Sequence, residues 1–319
     1  MAAIIPEGSI VWGLQLPVQS KSTAYRQAWE LDAGPADLAT VATAADRAGA
    51  FYVAVCDHVA IPRPADEVMS DTWYDTIATL GWLAAQTERV QLVSHVYVLP
   101  YRHPLQVAKS FVTLDALSGG RAVLGAGAGH LESEFALLGV DYDGRGRAVE
   151  EALPVIRAAF AEEYPTVGGP GAEVGVGVAP RPVRPGGPPI WIGGSSPAAM
   201  RRAAVLADGW LPQGPPKEGM KAGIARIRDR RAAAGLPAAF DMGVNVEPIH
   251  IGDPGFDVPE WTLIGSPERI AEGLSRYRRL DANQWQLRFI GRSAQEVAEQ
   301  IERFRRQLAA DELRLPSRP

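Results

Sequence analysis

The chain's 319 residues suffice for one large α/β barrel or two medium domains, and its 46% hydrophobic and 22% charged residues are those of an ordinary soluble globular protein. A net charge of −5 removes the electrostatic case for a nucleic-acid partner. No apolar run reaches bilayer-spanning length, and MAAIIPEGS lacks the charged and apolar regions of a cleaved leader, so a cytoplasmic protein with no membrane association is expected. The single cysteine, Cys56, cannot form an intrachain disulfide, which is consistent with a reducing compartment.

Strand-like and helix-like segments alternate along nearly the whole chain. SIVWGLQLP (residues 9–17) reads as a strand, and GPADLATVATAADRAGA follows with Leu38, Val41, Ala42 and Ala45 at helical spacing and Gly49 as the stop. FYVAVCDH is the second strand, TWYDTIATLGWLAAQTE a helix, VQLVSHVYVLP the third strand, and HPLQVAKSFVTLDALSGG a helix closed by Gly119 and Gly120. RAVLGAGAG is the fourth strand, and residues 144–161 form a helix. Residues 163–188 are too rich in Gly and Pro for a helix and read as an inserted irregular segment or short hairpin, placed where substrate recognition is expected. PIWIGG, DGWLPQ, VNVEPIHIG and QWQLRFIG supply four more strands; helices open at Ser196–Pro197 and Ser266–Pro267, another spans residues 217–234, and SAQE at Ser293 has capping-box spacing. Eight strand–helix units predict a (β/α)₈ TIM barrel forming a single domain over residues 1–319. A doubly wound sheet would carry a Gly-rich fingerprint after its first strand, and none follows SIVWGLQLPVQ.

In such a barrel the connections after the strands build the active site. The polar residues there are Gln15, Asp57 with His58, Ser94 with His95, the run GAGAGHLESE, and Gly193, Gly194, Ser195 and Ser196. Ser94 and His95 interrupt an apolar strand, and a buried polar pair costs about 1–3 kcal/mol per unsatisfied group unless partnered. The glycines around Gly127, Ala128 and Gly129 allow close backbone approach to a ligand or merely a tight turn. Gly193 to Ser196 ahead of a helix favours an anion, although Ser196 serves equally as an N-cap. Trp73, after the long loop 60–71, is a candidate substrate wall, with Gln15 beside it on the rim. His58 and His95 are the candidate proton-transfer groups, with Asp57 expected to orient His58 or the cofactor ring.

The pair Asp57–His58, the run LPYRHPLQVAKSFVTLDALSGGRAVLGAGAGHLESEFALLGV and PPIWIGGSSPAAMRRAAVLADGW together resemble the luciferase-like monooxygenase superfamily. Within it they are most similar to the coenzyme F420-dependent oxidoreductases of actinobacteria, over residues 36–211 and more weakly at GSPERIAEGL. The resemblance implies a deazaflavin or flavin at the strand ends, His130 and Ser133 along the cofactor, and a non-proline cis peptide in strand three. That bond is expected between Ser94 and His95. It also implies a homodimer and a separate reductase that supplies reduced cofactor. The leading expectation is F420-dependent hydride transfer to or from a small organic substrate. The alternatives are an FMN-dependent two-component monooxygenase, a flavin-binding protein without turnover, and an unrelated barrel enzyme, which would want a catalytic Lys or Glu at a strand end.

Overall fold

The computed structural model describes residues 3–24, 26–168 and 174–309. Eight parallel strands close into a barrel: β1 (Val11–Gln15), β2 (Tyr52–Val55), β3 (Gln91–Ser94), β4 (Ala122–Gly127), β5 (Ile190–Ile192), β6 (Gly209–Trp210), β7 (Asp241–Asn245) and β8 (Gln284–Leu287). β1 pairs with both β2 and β8, and the Leu92–Ala122 register between β3 and β4 closes the circle. The expected barrel is therefore present. The seventh unit differs from expectation: β7 is Asp241–Asn245, and Ile249–Ile251 leaves the barrel to pair in parallel with Leu263–Gly265.

The strands alternate two apolar sets. Tyr52, Ala54, Val93, Val123, Trp191 and Leu211 fill the barrel interior, while Trp12, Trp210 and Trp285 face outward under the helices. The helices are α1 (Pro35–Ala48), α2 (Asp66–Met69), α3 (Thr76–Ala84), α4 (Pro104–Ser118), α5 (Glu132–Leu138), α6 (Arg145–Ala161), α7 (Pro197–Leu206), α8 (Met220–Ala233), α9 (Pro267–Arg278) and α10 (Ala294–Phe304). Their ends follow local chemistry: Gly49 and Gly119 stop α1 and α4 in the left-handed conformation, and Ser196, Ser266 and Ser293 cap α7, α9 and α10. The SAQE box is only half made, because Glu296 takes the N–H of Arg292 at 2.7 Å. Among the described residues no helix is long and apolar enough to cross a membrane.

The described part of the 163–188 segment meets the N-terminal end of the barrel through residues 183 and 184, away from the expected recognition face. Arg184 bonds Gln91, the first residue of β3, at 2.9 Å, and the Val183 N–H bonds Asp115 in the last turn of α4 at 2.8 Å. The physical reason is the path of α6, which carries the chain from the C-terminal rim back down before β5 begins. The same end is sealed by Asp241, which accepts the N–H groups of Ile4 and Ile5 at 3.0 and 3.1 Å and the Trp191 indole at 3.0 Å.

At the other end, β3 breaks and resumes as Tyr97–Val98 against Ala126 and Gly127. The non-proline cis peptide lies at His95–Val96, one bond beyond the expected Ser94–His95. The strand stays regular through Ser94, which pairs with Val55 and whose hydroxyl donates to the Gly125 carbonyl at 2.9 Å; the His95 N–H still bonds Val55 at 2.8 Å. The displaced Val96 side chain drops between two neighbouring strands. A Cβ on Gly193 would sit 2.2 Å from one Val96 methyl, and a Cβ on Gly127 2.4 Å from the other. These glycines make room for the bulge, a packing role distinct from the ligand approach expected of them.

Two predictions follow from this packing. Gly193→Ala overpacks Val96 and lowers stability by about 1–3 kcal/mol in urea unfolding, and Val96→Ala added to it restores most of the loss; a fully stable single variant contradicts the packing. Burial pushes the Asp241 carboxyl from 3.8 up to about 6 against the pull of its three hydrogen bonds. Because the folded value is the higher one, folding favours the protonated form, and that contribution is full below the unfolded value and lost as pH rises through about 6. The stability of the wild type relative to Asp241→Asn therefore falls between pH 4 and 6, roughly, in pH-resolved thermal melts, and a flat difference contradicts it.

Candidate active site

The site begins where β2 ends. Asp57 is buried, and Arg102 grips its two oxygens at 2.7 and 2.8 Å while the Val98 N–H and the Thr76 hydroxyl add bonds of 2.8 and 3.2 Å. Asp57 thus fastens the end of β2 to the far side of the strand-three bulge. It does not bond His58, one of the two roles expected of it, and Arg102 belongs to this buried pair, with its guanidinium over the Tyr97 ring at 4.0 Å.

His58 is held instead by Glu134, a residue that the sequence reading passed over in favour of Ser133. Glu134 is fully buried and collects four donors: His58 Nδ1 at 2.7 Å, the Val59 and Ala60 N–H groups at 2.6 and 3.1 Å, and the Tyr101 hydroxyl at 2.9 Å. Burial alone would raise its pKa; the His58 bond and charge, with the two N–H groups, outweigh burial and leave it below the ordinary value. Burial and then the neighbouring carboxylate hold the Tyr101 phenol far above its usual range. An ionised Glu134 makes His58 Nδ1 the donor, so the open ring nitrogen is Nε2. The His58 ring meets Trp73 at 4.4 Å and His130 at 5.6 Å, both edge to face.

Trp73 stands beside His58. Its indole N–H is turned toward the Met69 and Ser70 carbonyls, both at 3.1 Å, which leaves its ring surface for the site. The connection after β1 braces it, through the Ser20–Trp73 bridge and the Lys21–Thr72 and Tyr74–Gln19 bonds. His130 is exposed, and its pKa is lowered by partial burial and then by the His58 charge. Ser133 lies on the outer side of α5.

His95 is a different kind of group. It is buried, its Nε2 donates to the Leu211 carbonyl at 2.8 Å, and burial lowers its pKa to about 4, so the ring is neutral. Its own carbonyl accepts from Gln213 at 2.9 Å and from the Cys56 thiol at 3.3 Å, and Gln15 donates to that sulfur at 2.9 Å. Burial pushes the Cys56 thiol up to about 12, leaving it inert. Among the described residues, the buried acceptors without a protein partner include His95 Nδ1 and, at the end of β7, Asn245 Oδ1. An open acceptor at the strand-three bulge, with a second at the end of β7, fits a flat ring system with an imide N–H, the part common to deazaflavins and flavins.

The Gly193–Ser196 run leads into α7 as expected. Gly194 has φ +87°, Ser195 donates to the Gly214 carbonyl, and Ser196 accepts from the Ala199 N–H at 3.1 Å. Both hydroxyls are engaged, so any anion here would be met by backbone N–H groups and the positive helix end. Gly129, at φ +79°, turns the chain out of β4 against Phe135 and Val98. Ala128 lies beside it, half-buried.

Comparison with known proteins bears on the family and the fold. An uncharacterised protein of Mycobacterium tuberculosis is 30% identical over 243 residues, covering 71% of this chain and 85% of its own. An FMNH₂-dependent dimethylsulfone monooxygenase of Pseudomonas putida is 28% identical over 180 residues, 55% of this chain and 49% of that one. The solved structure of the coenzyme F420-dependent tetrahydromethanopterin reductase of Methanopyrus kandleri superposes with a TM-score of 0.73 at 19% identity, covering 96% of this chain and all (100%) of that one. The family model for luciferase-like monooxygenases matches residues 14–254, from the end of β1 to beyond β7, and the chain belongs to that family.

Proposed function

We propose that the protein is an F420-dependent oxidoreductase that moves a hydride between the deazaflavin and a small organic substrate, with His58 as the proton-transfer group. The observation that carries this reading is the Glu134–His58 pair: a buried carboxylate fixes one ring nitrogen at 2.7 Å and leaves the other open beside Trp73. When bound, F420 supplies the two-electron chemistry; the protein supplies position, dryness and a proton path.

The residues that would hold the cofactor are the bulge at His95–Val96, the open acceptors of His95 and Asn245, and, for its phosphate end, the backbone of Gly194 to Ser196. His95 is a platform in this reading, because a neutral ring bonded to Leu211 neither gains nor gives a proton near neutral pH. His58 Nε2 takes the hydroxyl proton when an alcohol is oxidised and returns it when a carbonyl is reduced. Trp73 and the braced connection after β1 keep water from that nitrogen. A separate reductase would supply the reduced cofactor.

The 28% identity to an FMNH₂-dependent enzyme favours a second reading, an FMN-dependent monooxygenase on the same site. Titration with F420 and with FMN decides between them. F420 is expected to bind with micromolar or better affinity and FMN about tenfold or more weakly; the reverse order installs the second reading, and binding of neither removes both. With a substrate that oxidises reduced F420, His58→Gln is expected to lower kcat about 10²-fold or more while F420 affinity stays within about threefold. Full turnover without the His58 imidazole contradicts its role.

A further inference from the structure

Besides its bond to Glu134, His58 meets the exposed imidazole of His130 edge to face. We propose that His58 and His130 form a two-imidazole proton relay in which Glu134 fixes His58 and His130 carries the proton between His58 Nε2 and solvent. The inference rests on the hydride-transfer reading above and adds to it the route by which the proton leaves.

The geometry supports the division of roles. His58 is almost enclosed, with 9% of its side chain exposed, whereas His130 is open to solvent. A buried base that takes one proton per turnover must return it to water, and Trp73 covers one side of the ring. The ring centroids of His58 and His130 are 5.6 Å apart with planes at 86°. At that spacing a side-chain rotation or one bridging water completes a hydrogen-bonded path. His130 is free to make the move: its carbonyl is fixed by the Tyr142 hydroxyl at 3.1 Å, while no bond among the described residues holds its ring. The charged and titratable groups around the pair are Glu134 on α5, Tyr101 on Glu134, and the Asp57–Arg102 ion pair behind His58.

The step balances simply. In alcohol oxidation the carbon-bound hydrogen leaves with its electron pair for the oxidised deazaflavin, and the hydroxyl proton passes to His58 Nε2. That proton then moves to a ring nitrogen of neutral His130 and on to water; reduction runs the path backward. Partial burial and the His58 charge both favour neutral His130, so it receives a proton only to pass it on.

The test uses the full chain labelled with ¹⁵N-histidine and needs no ligand, with solvent exchange of the ring protons read by NMR. His130→Gln is expected to slow exchange at the His58 ring about tenfold or more, and added free imidazole to restore it. His103, the exposed cap of α4, is the internal reference and stays unchanged. As a check on coupling, His58→Gln raises the His130 midpoint, because the His58 charge is one of the causes that lower it. Unchanged His58 exchange in His130→Gln, or slowed exchange that imidazole does not restore, overturns the relay. Failure of F420 and FMN to bind would instead overturn the functional reading and would leave these exchange rates as they are.

Discussion

One buried carboxylate organises the catalytic end of this barrel. Glu134 is ionised out of contact with water, a state that costs several kcal/mol unless donors replace the lost hydration. Four donors do so, and they come from two different connections: three from the start of the loop after β2 and one, Tyr101, from the segment after β3. Because Glu134 itself stands on α5 after β4, three consecutive strand ends are tied at one point. Each bond to the charged group is worth about 1.5–3 kcal/mol, so the orientation of His58 is fixed by the same interaction that closes the rim.

A second buried carboxylate works one layer deeper. Asp57 joins β2 to the strand-three bulge through Arg102 and the Val98 N–H, and thereby supports the surface on which His95 lies. The two neighbouring histidines consequently differ in kind. His95, bonded to a carbonyl and enclosed, is a neutral fixture; His58 is bonded to a carboxylate with its other nitrogen open, the arrangement on which the proposed proton transfer rests. Glycine on β4 and β5 completes the arrangement by giving Val96 a place to go.

Much of this was legible in the residue order. Alternating apolar segments with capped helices specify an eight-unit barrel, and strand ends then gather Asp57, His58, His95 and Trp73 without further information. Glu134 was not legible, because Glu132, Ser133 and Glu134 are consecutive at the start of a seven-residue helix whose apolar spacing is too short to say which one turns inward. Packing of Phe135 into the rim decides it. Composition marks the Gly/Pro-rich run as irregular without saying which end of the barrel it meets, and residues 183 and 184 meet the N-terminal end. The cis bond lies one residue beyond the expected place, since the bond from the Ser94 hydroxyl to the Gly125 carbonyl is a tertiary fact that an apolar run with two polar residues does not reveal.

The central claim is spatial: a flat redox ring rests against the His95–Val96 bulge with its reacting edge toward His58 Nε2. A crystal structure of the protein soaked with oxidised F420, and in parallel with FMN, tests it most directly. The account predicts ring density spanning the bulge and the Trp73–His58 wall, with a polar atom of the ring on His95 Nδ1 or Asn245 Oδ1. A ring bound elsewhere on the barrel, or His58 separated from it by the Trp73 side chain, would contradict the account.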